Sequence, residues 1–270
     1  MVWFEDGASR IYYEVSGSGN ETALLLPGLT DSIEAHMPLR QSLADAGFRV
    51  VSADLPGSGR SQPQPRVYSV TYLEEDARSF AALLKELAIE SAHLIGFSDG
   101  GEVALLMAEL FPRTARSVAT WGSGGQISDP SGQLRATFFD VVDNPIPPLR
   151  EYSQHLIAVY GKDTARAMTQ NAVRAMTEIL ETRGGDLSLS RAGAITCPVL
   201  LITGEHDPFA PYSLLRQLAA RIPNASAMEV KDAGHDVHHS HSEWLCSTVL
   251  DWLRRREYAE SLGPHRFTRG

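Results

Sequence analysis

The stretch His93-Leu-Ile-Gly-Phe-Ser-Asp-Gly-Gly101 places one serine between two glycines, after an apolar run and before a longer apolar segment. The run predicts a buried strand, and Gly100–Phe111, apolar on nearly all sides, predicts a buried helix. The turn between them has to be tight, which Gly96 and Gly100 permit because neither carries a Cβ atom. We therefore expect Ser98 in a strained conformation, with its hydroxyl projecting above the sheet.

The rest of the chain repeats this alternation of strand and helix, the pattern of βαβ units around a mostly parallel sheet. The predicted strands are Ile11–Val15, Ala23–Leu26, Arg49–Ala53, His93–Phe97, Ser117–Trp121, Val199–Thr203 and Ser226–Val230. The predicted strands leave a gap between Trp121 and Val199. Outside this gap, the predicted helices are Val70–Leu87, Gly100–Phe111 and Tyr212–Arg221. Within the gap we expect the helices Ser131–Val142, Leu149–Tyr160 and Asp163–Thr182. The chain is thus expected to form a core domain from residues 1–124 and 193–270, with a helical insertion at 125–192.

The composition argues against several classes of partner. With 270 residues, 43% of them hydrophobic, the chain is long enough for one large α/β domain. Its net charge of -9 would repel phosphate backbones and anionic lipids, so no nucleic acid or membrane partner is expected. No apolar stretch approaches the roughly 18 residues that span a bilayer, and the start lacks a signal-peptide pattern, so we expect a cytoplasmic protein. Cys197 and Cys246 are too few for a disulfide framework and are expected as buried thiols.

A serine hydroxyl becomes a nucleophile when a histidine takes its proton and a carboxylate orients that histidine. The strand that ends at Thr203 leads into a loop with Glu205 and Asp207, at the carboxyl edge of the sheet where ligands bind. Glu205 is the competing carboxylate, but it lies closer to the strand. The following strand leads into a loop that carries His235 at the same edge. Ser98, Asp207 and His235 are therefore the candidate nucleophile, acid and base.

Two backbone amides are candidates for stabilising an oxyanion near Ser98. After the strand Ala23–Leu26, Gly28 lets the backbone turn so that the Leu29 N–H can face the site. The second donor would be the Asp99 N–H, which follows the nucleophile at the start of the helix. The Asp99 carboxylate is then free for another role. It could bind a substrate ammonium group, or it could make a salt bridge or a hydrogen bond to backbone.

A metal site is the alternative for the histidines near the end of the chain. His235, His238 and His241 recur at every third residue, with His239 and Asp236 among them. Only a helix or a turn would bring that spacing together, and the remaining ligands would have to come from elsewhere. We therefore expect no metal, and we expect His238, His239 and His241 at the surface or at a helix start.

These motifs together resemble the α/β-hydrolase superfamily. The resemblance runs from Pro27-Gly28 through Gly96-Phe-Ser-Asp-Gly100 and Gly204-Glu-His-Asp207 to Gly234-His235, and so covers nearly the whole chain. The segment Asp54-Leu-Pro-Gly-Ser-Gly-Arg-Ser61 is also similar to a loop common in that superfamily. The oxyanion loop of that superfamily commonly has the form His-Gly, whereas this chain has Pro27-Gly28. The resemblance implies an eight-stranded, mostly parallel sheet with helices on both faces and a small helical lid.

A narrower resemblance concerns the six residues Gly96–Gly101, which look like the elbow of biphenyl-hydrolase-like, valacyclovir-hydrolase-type members. In those members the acid after the serine contacts the α-amino group of the substrate, which implies the same role for Asp99. The side chains expected to line the pocket beneath the lid are Asp99, Trp121, Phe138, Phe139, Tyr152, Met168 and Met176. For the two methionines, ordinary core packing is the alternative.

The function expected from these residues is hydrolysis of a carboxylic ester or related acyl bond of a small molecule, through an acyl-enzyme on Ser98, without metal or organic cofactor. A serine argues against dehalogenase and epoxide hydrolase chemistry, which need a carboxylate nucleophile. Carbon–carbon bond hydrolysis and cofactor-free perhydrolysis use the same triad and stay open. A ligand receptor on a retired hydrolase scaffold is the non-enzymatic alternative. No feature of the sequence indicates an oligomeric state.

Overall fold

A sheet of eight strands organises the molecule, of which the computed structural model describes residues 2–7 and 9–261, with side chains up to residue 255. The strands are β1 (Val2–Asp6), β2 (Ser9–Ser16), β3 (Thr22–Leu26), β4 (Arg49–Ala53), β5 (Ala92–Phe97), β6 (Ala115–Trp121), β7 (Val199–Gly204) and β8 (Ala225–Val230). They lie in the order β1-β2-β4-β3-β5-β6-β7-β8. β2 pairs antiparallel with β1 and β4, and the other neighbouring pairs are parallel. The predicted eight-stranded, mostly parallel α/β sheet is confirmed.

Helices cover both faces of this sheet. They are α1 (Met37–Asp45), α2 (Tyr72–Glu86), α3 (Asp99–Leu110), α4 (Gln133–Phe139), α5 (Arg150–Tyr160), α6 (Lys162–Arg183), α7 (Tyr212–Arg221), α8 (Val237–Ser240) and α9 (Ser242–Ser261). On β3, Leu24 and Leu26 pack into a core with α2, α3 and α7, whereas Ala23 and Leu25 pack into a second core with α1 and α9. Both faces of the strand are buried, which explains its unbroken apolar sequence. Among the described residues, no helix combines the length and apolar character needed to cross a lipid bilayer.

A helical insertion separates β6 from β7, and we call residues 125–192 the cap. In this stretch, described without a gap, α4, α5 and α6 follow one another and no named strand occurs. The two ends of the cap meet in a bridge between Gln126 and Asp186. The Arg183 guanidinium joins it to the sheet domain by donating to the Val70 carbonyl oxygen and to Glu74, both at 2.7 Å. A small core within the cap consists of Val141, Val142, Leu156 and Ala165.

All seven predicted strands occur, but β1, α1, α8 and α9 were not predicted. β1 is an edge strand that is at least partly exposed on both faces, so its side chains show no apolar alternation. α1 begins with Met37-Pro38 and buries only Leu39 and Leu43, too few apolar positions to mark a helix. Cys246 is buried as expected, whereas Cys197, in the loop before β7, is only partly buried.

Candidate active site

The turn that joins β5 to α3 is built around Ser98. This residue has φ 50° and ψ -119°, a conformation that residues with a side chain rarely adopt. Gly96 and Gly100 flank this residue, and because they lack a Cβ atom, neighbouring backbone can pack closely against the turn. A Cβ on Gly96 would lie 2.3 Å from the Gly100 carbonyl oxygen, and one on Gly100 would lie 2.3 Å from that of Pro27. Because the Ser98 N–H also donates to the Trp121 carbonyl oxygen at 2.9 Å, the strained residue is anchored to β6.

Three side chains from separate loops meet at this turn. His235 Nε2 lies 3.1 Å from Ser98 Oγ, and His235 Nδ1 lies 2.9 Å from Asp207 Oδ2. Because an ionised carboxylate only accepts hydrogen bonds, Nδ1 must carry the hydrogen that is donated to Asp207. Nε2 of the neutral ring then keeps a lone pair that faces the serine hydroxyl. This is the tautomer that could remove the hydroxyl proton.

Asp207 is held in one orientation by the loop after β7. Its Oδ1 accepts the backbone N–H groups of Phe209 at 2.8 Å and Ala210 at 3.0 Å. Burial on its own raises the pKa of Asp207, but the hydrogen bond and charge interaction with His235 and the two amides outweigh it, so the pKa falls below its ordinary value. Asp207 is therefore ionised at neutral pH. Glu205, the competing carboxylate, is exposed and accepts a loop amide at 3.0 Å, so it stands outside this group.

The two predicted oxyanion donors belong to backbone that borders Ser98. Asp99 is the first residue of α3, so its amide has no carbonyl partner within the helix. Leu29 follows Gly28, which is so close to the elbow that a Cβ on it would lie 3.3 Å from Ser98 Cβ. The Gly28 carbonyl oxygen accepts the Asp31 N–H at 3.2 Å, which closes a turn of four residues, here called the oxyanion turn. In a trans peptide the N–H points opposite to the C=O, so the Leu29 N–H faces out of that turn.

The Asp99 carboxylate accepts a hydrogen bond from the Tyr72 hydroxyl at 2.8 Å. This neutral partner differs from both the ion pair and the backbone bond considered from the sequence. Burial raises the pKa of Asp99 to about 6, although the hydrogen bond from the Tyr72 hydroxyl and the charge interactions with Arg66 and His235 lower it in part. Arg66 itself forms a bidentate ion pair with Asp76, at 2.8 and 2.7 Å. The cluster of Arg66, Asp76 and Asp99 therefore holds two carboxyl groups against one guanidinium.

Some side chains expected beneath the cap do lie at its contact with the oxyanion turn. The rings of Phe138 and Tyr152 stack with their centroids 5.9 Å apart. The Tyr152 hydroxyl lies 2.6 Å from Thr30 Oγ1, which places this pair beside the turn. On α6, Met168 is fully buried and Met176 is partly buried. The burial of Met168 fits the core-packing alternative as well as a pocket.

Trp121 does not line the expected pocket, and that expectation needs correction. Trp121 is fully buried in the core on the α1 and α9 side, where its indole N–H donates to His238 Nδ1 at 3.1 Å. It ends β6 at the correct edge of the sheet, but the alternation of side chains along a strand turns its ring away. Phe139 lines a groove with Val173 and Arg174, and the described residues around this groove include none of the triad.

His238 lies at the start of α8, as expected, but it is not at the surface. His238 is buried, while His239 is exposed and His241 directly precedes α9 as expected. The His238 ring lies 4.5 Å from that of His36, whose Nε2 is 3.1 Å from Asp31 Oδ2. These three side chains are spaced closely enough to hold a metal ion.

The hydrogen bonding of this group argues against metal binding. His238 Nδ1 accepts from Trp121, so in the neutral ring the hydrogen sits on Nε2 and leaves no lone pair there for a metal. Burial and the neighbouring histidines hold the pKa of His238 far below its ordinary value, so the ring stays neutral. We therefore interpret the group as part of the packing behind Phe97, whose ring centroid is 4.4 Å from that of His238.

The sequence did not indicate three residues that contact the site from different parts of the fold, namely Thr30, Tyr72 and Tyr160. Tyr160 at the end of α5 donates to the Thr30 carbonyl oxygen at 2.9 Å and accepts the Gly59 N–H at 2.7 Å. Tyr72, in the first turn of α2, reaches Asp99 across 27 positions of sequence. A buried tyrosine hydroxyl needs a partner, and this was the available signal. It does not indicate which distant residue that partner is.

Comparisons with known proteins agree with this architecture. A family model described as the alpha/beta hydrolase fold matches residues 23–242. Human serine hydrolase BPHL is 28% identical over 250 residues, covering 91% of this chain and 83% of that protein. The 2-hydroxy-6-oxononadienedioate/2-hydroxy-6-oxononatrienedioate hydrolase of Burkholderia vietnamiensis is 29% identical over 282 residues, covering 93% of each. The crystal structure of the enol-lactonase of Burkholderia xenovorans superimposes with a TM-score of 0.73 at 23% identity, covering 94% of this chain and 100% of that one. The chain belongs to the α/β-hydrolase fold family.

Proposed function

We propose that this hydrolase cleaves carboxylic esters of small molecules through an acyl-enzyme formed on Ser98. The observation that carries the proposal is the pair of contacts made by His235, 3.1 Å to the serine oxygen and 2.9 Å to Asp207. Both lie within the range at which a histidine can accept a hydroxyl proton while a carboxylate orients it. The strained backbone at Ser98 supports the same role, because strain of this kind concentrates at functional sites.

The mechanism follows from the tautomer of His235. Nε2 takes the proton of Ser98 as its oxygen attacks the ester carbonyl carbon, and the N–H groups of Leu29 and Asp99 stabilise the resulting oxyanion. His235 then gives the proton to the departing alcohol, which leaves an acyl group on Ser98. Water, deprotonated in turn by His235, releases the acid and regenerates the serine. Ionised Asp207 stabilises the positive charge that His235 carries between the steps.

We further propose a preference for esters that carry an amino group near the carbonyl. Asp99 adjoins the nucleophile, and its known partner is the neutral Tyr72 hydroxyl. Together with the ion pair of Arg66 and Asp76, the ionised cluster has an excess of one negative charge. A substrate ammonium group would neutralise that charge in a partly buried position, where charge-assisted hydrogen bonds are strongest.

A screen of p-nitrophenyl esters of increasing chain length tests the reaction itself. The matched pair is an α-amino acid ester and its analogue without the amino group, each assayed with wild type and Ser98→Ala. Loss of the serine is expected to lower kcat by at least about 10³-fold, since triad members act as a unit. Equal rates for the two proteins would refute the nucleophile assignment. Equal rates for the two esters on wild type would refute the amine preference.

Carbon–carbon bond hydrolysis is the second candidate, favoured by the 29% identity to a hydrolase named for an oxo-dienedioate. A dicarboxylate would meet repulsion from Asp99 beside the nucleophile, which favours the ester over this substrate class. The two candidate reactions can be distinguished by incubating the protein with a 2-hydroxy-6-oxo-dienedioate and monitoring the absorbance of this substrate over time. Cleavage faster than that of every ester in the screen would reverse the order of the candidates.

A further inference from the structure

Thr30 is the strained residue of the oxyanion turn. It follows Leu29, is 2% exposed, and has φ 60°. A positive φ at the third position of a turn ordinarily calls for glycine or asparagine, and a β-branched residue there is a marked outlier. The conformation persists only if the surroundings hold it. The contacts that hold Thr30 therefore also decide where the preceding Leu29 N–H lies.

The polar groups of Thr30 are each engaged by a neighbour. Its N–H donates to Ser58 Oγ at 3.1 Å, and its hydroxyl donates to the Leu29 carbonyl oxygen at 2.6 Å. With that hydrogen used, the hydroxyl must accept from Tyr152, whose OH is 2.6 Å away. The Thr30 carbonyl oxygen accepts the Tyr160 hydroxyl at 2.9 Å. Two of the four bonds thus come from the cap helix α5.

We propose that Tyr152 and Tyr160 form a tyrosine clamp that positions the oxyanion turn for catalysis. The inference rests on the proposed function, since it assumes that the Leu29 N–H stabilises an oxyanion on the Ser98 pathway. Tyr152 acts through the Thr30 hydroxyl on the carbonyl of Leu29, and Tyr160 acts on the next carbonyl along the chain. These residues do not touch the reacting atoms. They are positioning residues, and they make turnover depend on how the cap docks.

Tyr160 also ties the turn to a second loop of the sheet domain. It accepts the Gly59 N–H at 2.7 Å, in the loop that follows β4, while donating to Thr30. Ser58 of the same loop receives the Thr30 N–H. The turn, that loop and the cap helix are therefore joined through one hydroxyl. Removing that hydroxyl leaves the aromatic ring to fill its space, so Tyr160→Phe separates the bond from the packing.

The test compares wild type, Tyr152→Phe, Tyr160→Phe and the double variant, with Tyr13→Phe as the matched control. Tyr13 is buried on β2 and lies outside the clamp. We expect Tyr160→Phe to lower kcat on the best ester by about 10-fold with KM within about 2-fold, because the oxyanion interaction strengthens only in the transition state. Amide hydrogen exchange at Thr30 and Asp31 should become faster. Tyr13→Phe should match wild type in all three quantities.

A rescue variant keeps the proposal falsifiable if the phenylalanine variants lose activity for another reason. Glycine adopts the conformation of Thr30 without strain. In a Thr30→Gly background, Tyr160→Phe should therefore lower kcat by less than about 3-fold. A loss of the same size in both backgrounds would overturn the clamp. An unchanged kcat in the double variant, or a raised KM alone, would overturn it as well.

The readouts also separate failure of the clamp from failure of the proposed function. Ester hydrolysis that survives Ser98→Ala would overturn the proposed function. Hydrolysis that depends on Ser98, combined with unchanged exchange at Thr30 and Asp31 in the double variant, would overturn the clamp alone.

Discussion

The turn at Ser98 and the oxyanion turn lie beside each other, but they are stabilised in opposite ways. The Ser98 turn lies between a buried strand and a buried helix, and its neighbours are glycines that admit backbone to within van der Waals contact. The oxyanion turn has a strained threonine in place of a glycine, and side chains from other elements hold it. The Ser98 turn depends on glycines that lack a Cβ atom. The oxyanion turn depends on hydrogen bonds to residues that are distant in the sequence.

This difference indicates how each turn should respond to changes in the sequence of the cap. The Ser98 turn is determined within a few residues of sequence and by the packing of the central sheet, so changes in the cap should leave it intact. The oxyanion turn depends on α5, so a different cap sequence would alter catalysis without touching the triad. The cap would then influence rate as well as the choice of substrate.

The largest effect is expected from Gly100→Ala, which attacks the packing of the Ser98 turn directly. The added Cβ would meet the Pro27 carbonyl oxygen at 2.3 Å and that of Leu26 at 2.5 Å, and backbone cannot give way cheaply. We expect a loss of about 3 kcal/mol in the free energy of unfolding and a fall of at least about 100-fold in kcat/KM, because the serine moves. Urea unfolding and ester assays measure both.

Gly193→Ala is the matched control for this substitution. Its Cβ would meet only the Arg221 carbonyl oxygen at 3.6 Å, an ordinary contact. It should behave as wild type in both measurements. A Gly100→Ala protein with normal stability and activity would show that close packing at the turn is unnecessary.

An intermediate effect is expected from Asp99→Asn, which tests the charge beside the nucleophile. The ratio of kcat/KM for an amino ester to that for its analogue without the amino group should fall by about 10- to 100-fold, as for loss of a charge-assisted hydrogen bond. In wild type this ratio should rise as the pH increases through about 6, where the carboxylate forms. Taking the ratio removes any pH effect that the two ester reactions share.

The variant should show no such rise, because asparagine does not ionise. Asp140→Asn, an exposed position after α4, serves as the control and should retain the wild-type ratio. A ratio that is the same for wild type and Asp99→Asn would exclude Asp99 as the ammonium site.

The smallest effect concerns Glu102, which links α3 to both ends of the cap. Its oxygens accept the Gly125 N–H at 2.6 Å and the Ser188 hydroxyl at 2.9 Å, and burial raises its pKa from 4.5 to about 7. Between those values the folded protein binds a proton that the unfolded chain does not. This group therefore makes the free energy of unfolding decrease as the pH rises from about 4.5 to about 7.

Glu102→Gln removes that contribution. The drop in stability between pH 5 and pH 8 should be smaller in the variant by about 2 kcal/mol, as judged by urea unfolding at each pH. Glu178→Gln, at an exposed position on α6, should keep the wild-type dependence. Parallel curves for wild type and Glu102→Gln would mean that Glu102 titrates as an ordinary surface acid.

Much of the site could be predicted because its chemistry is local to short motifs. The glycines around Ser98, and the loops that carry Asp207 and His235 after predicted strands, place three side chains at one sheet edge once the sheet is parallel. Whether those three side chains also come within hydrogen-bonding distance depends on the tertiary structure, which the spacing of residues along the sequence does not specify. The structure brings them together at 2.9 and 3.1 Å.

The amino-acid sequence by itself determined the fold class, the order of its elements and the identity of the three residues at the sheet edge. Periodicity and turn chemistry operate over a few neighbouring residues, so they can be read directly. Only the tertiary structure decided that Trp121 turns into the core, that Tyr72 reaches Asp99, and that α5 holds Thr30 across 122 and 130 positions of sequence. Such contacts arise from the packing of elements in three dimensions, and each tyrosine alone is compatible with many partners.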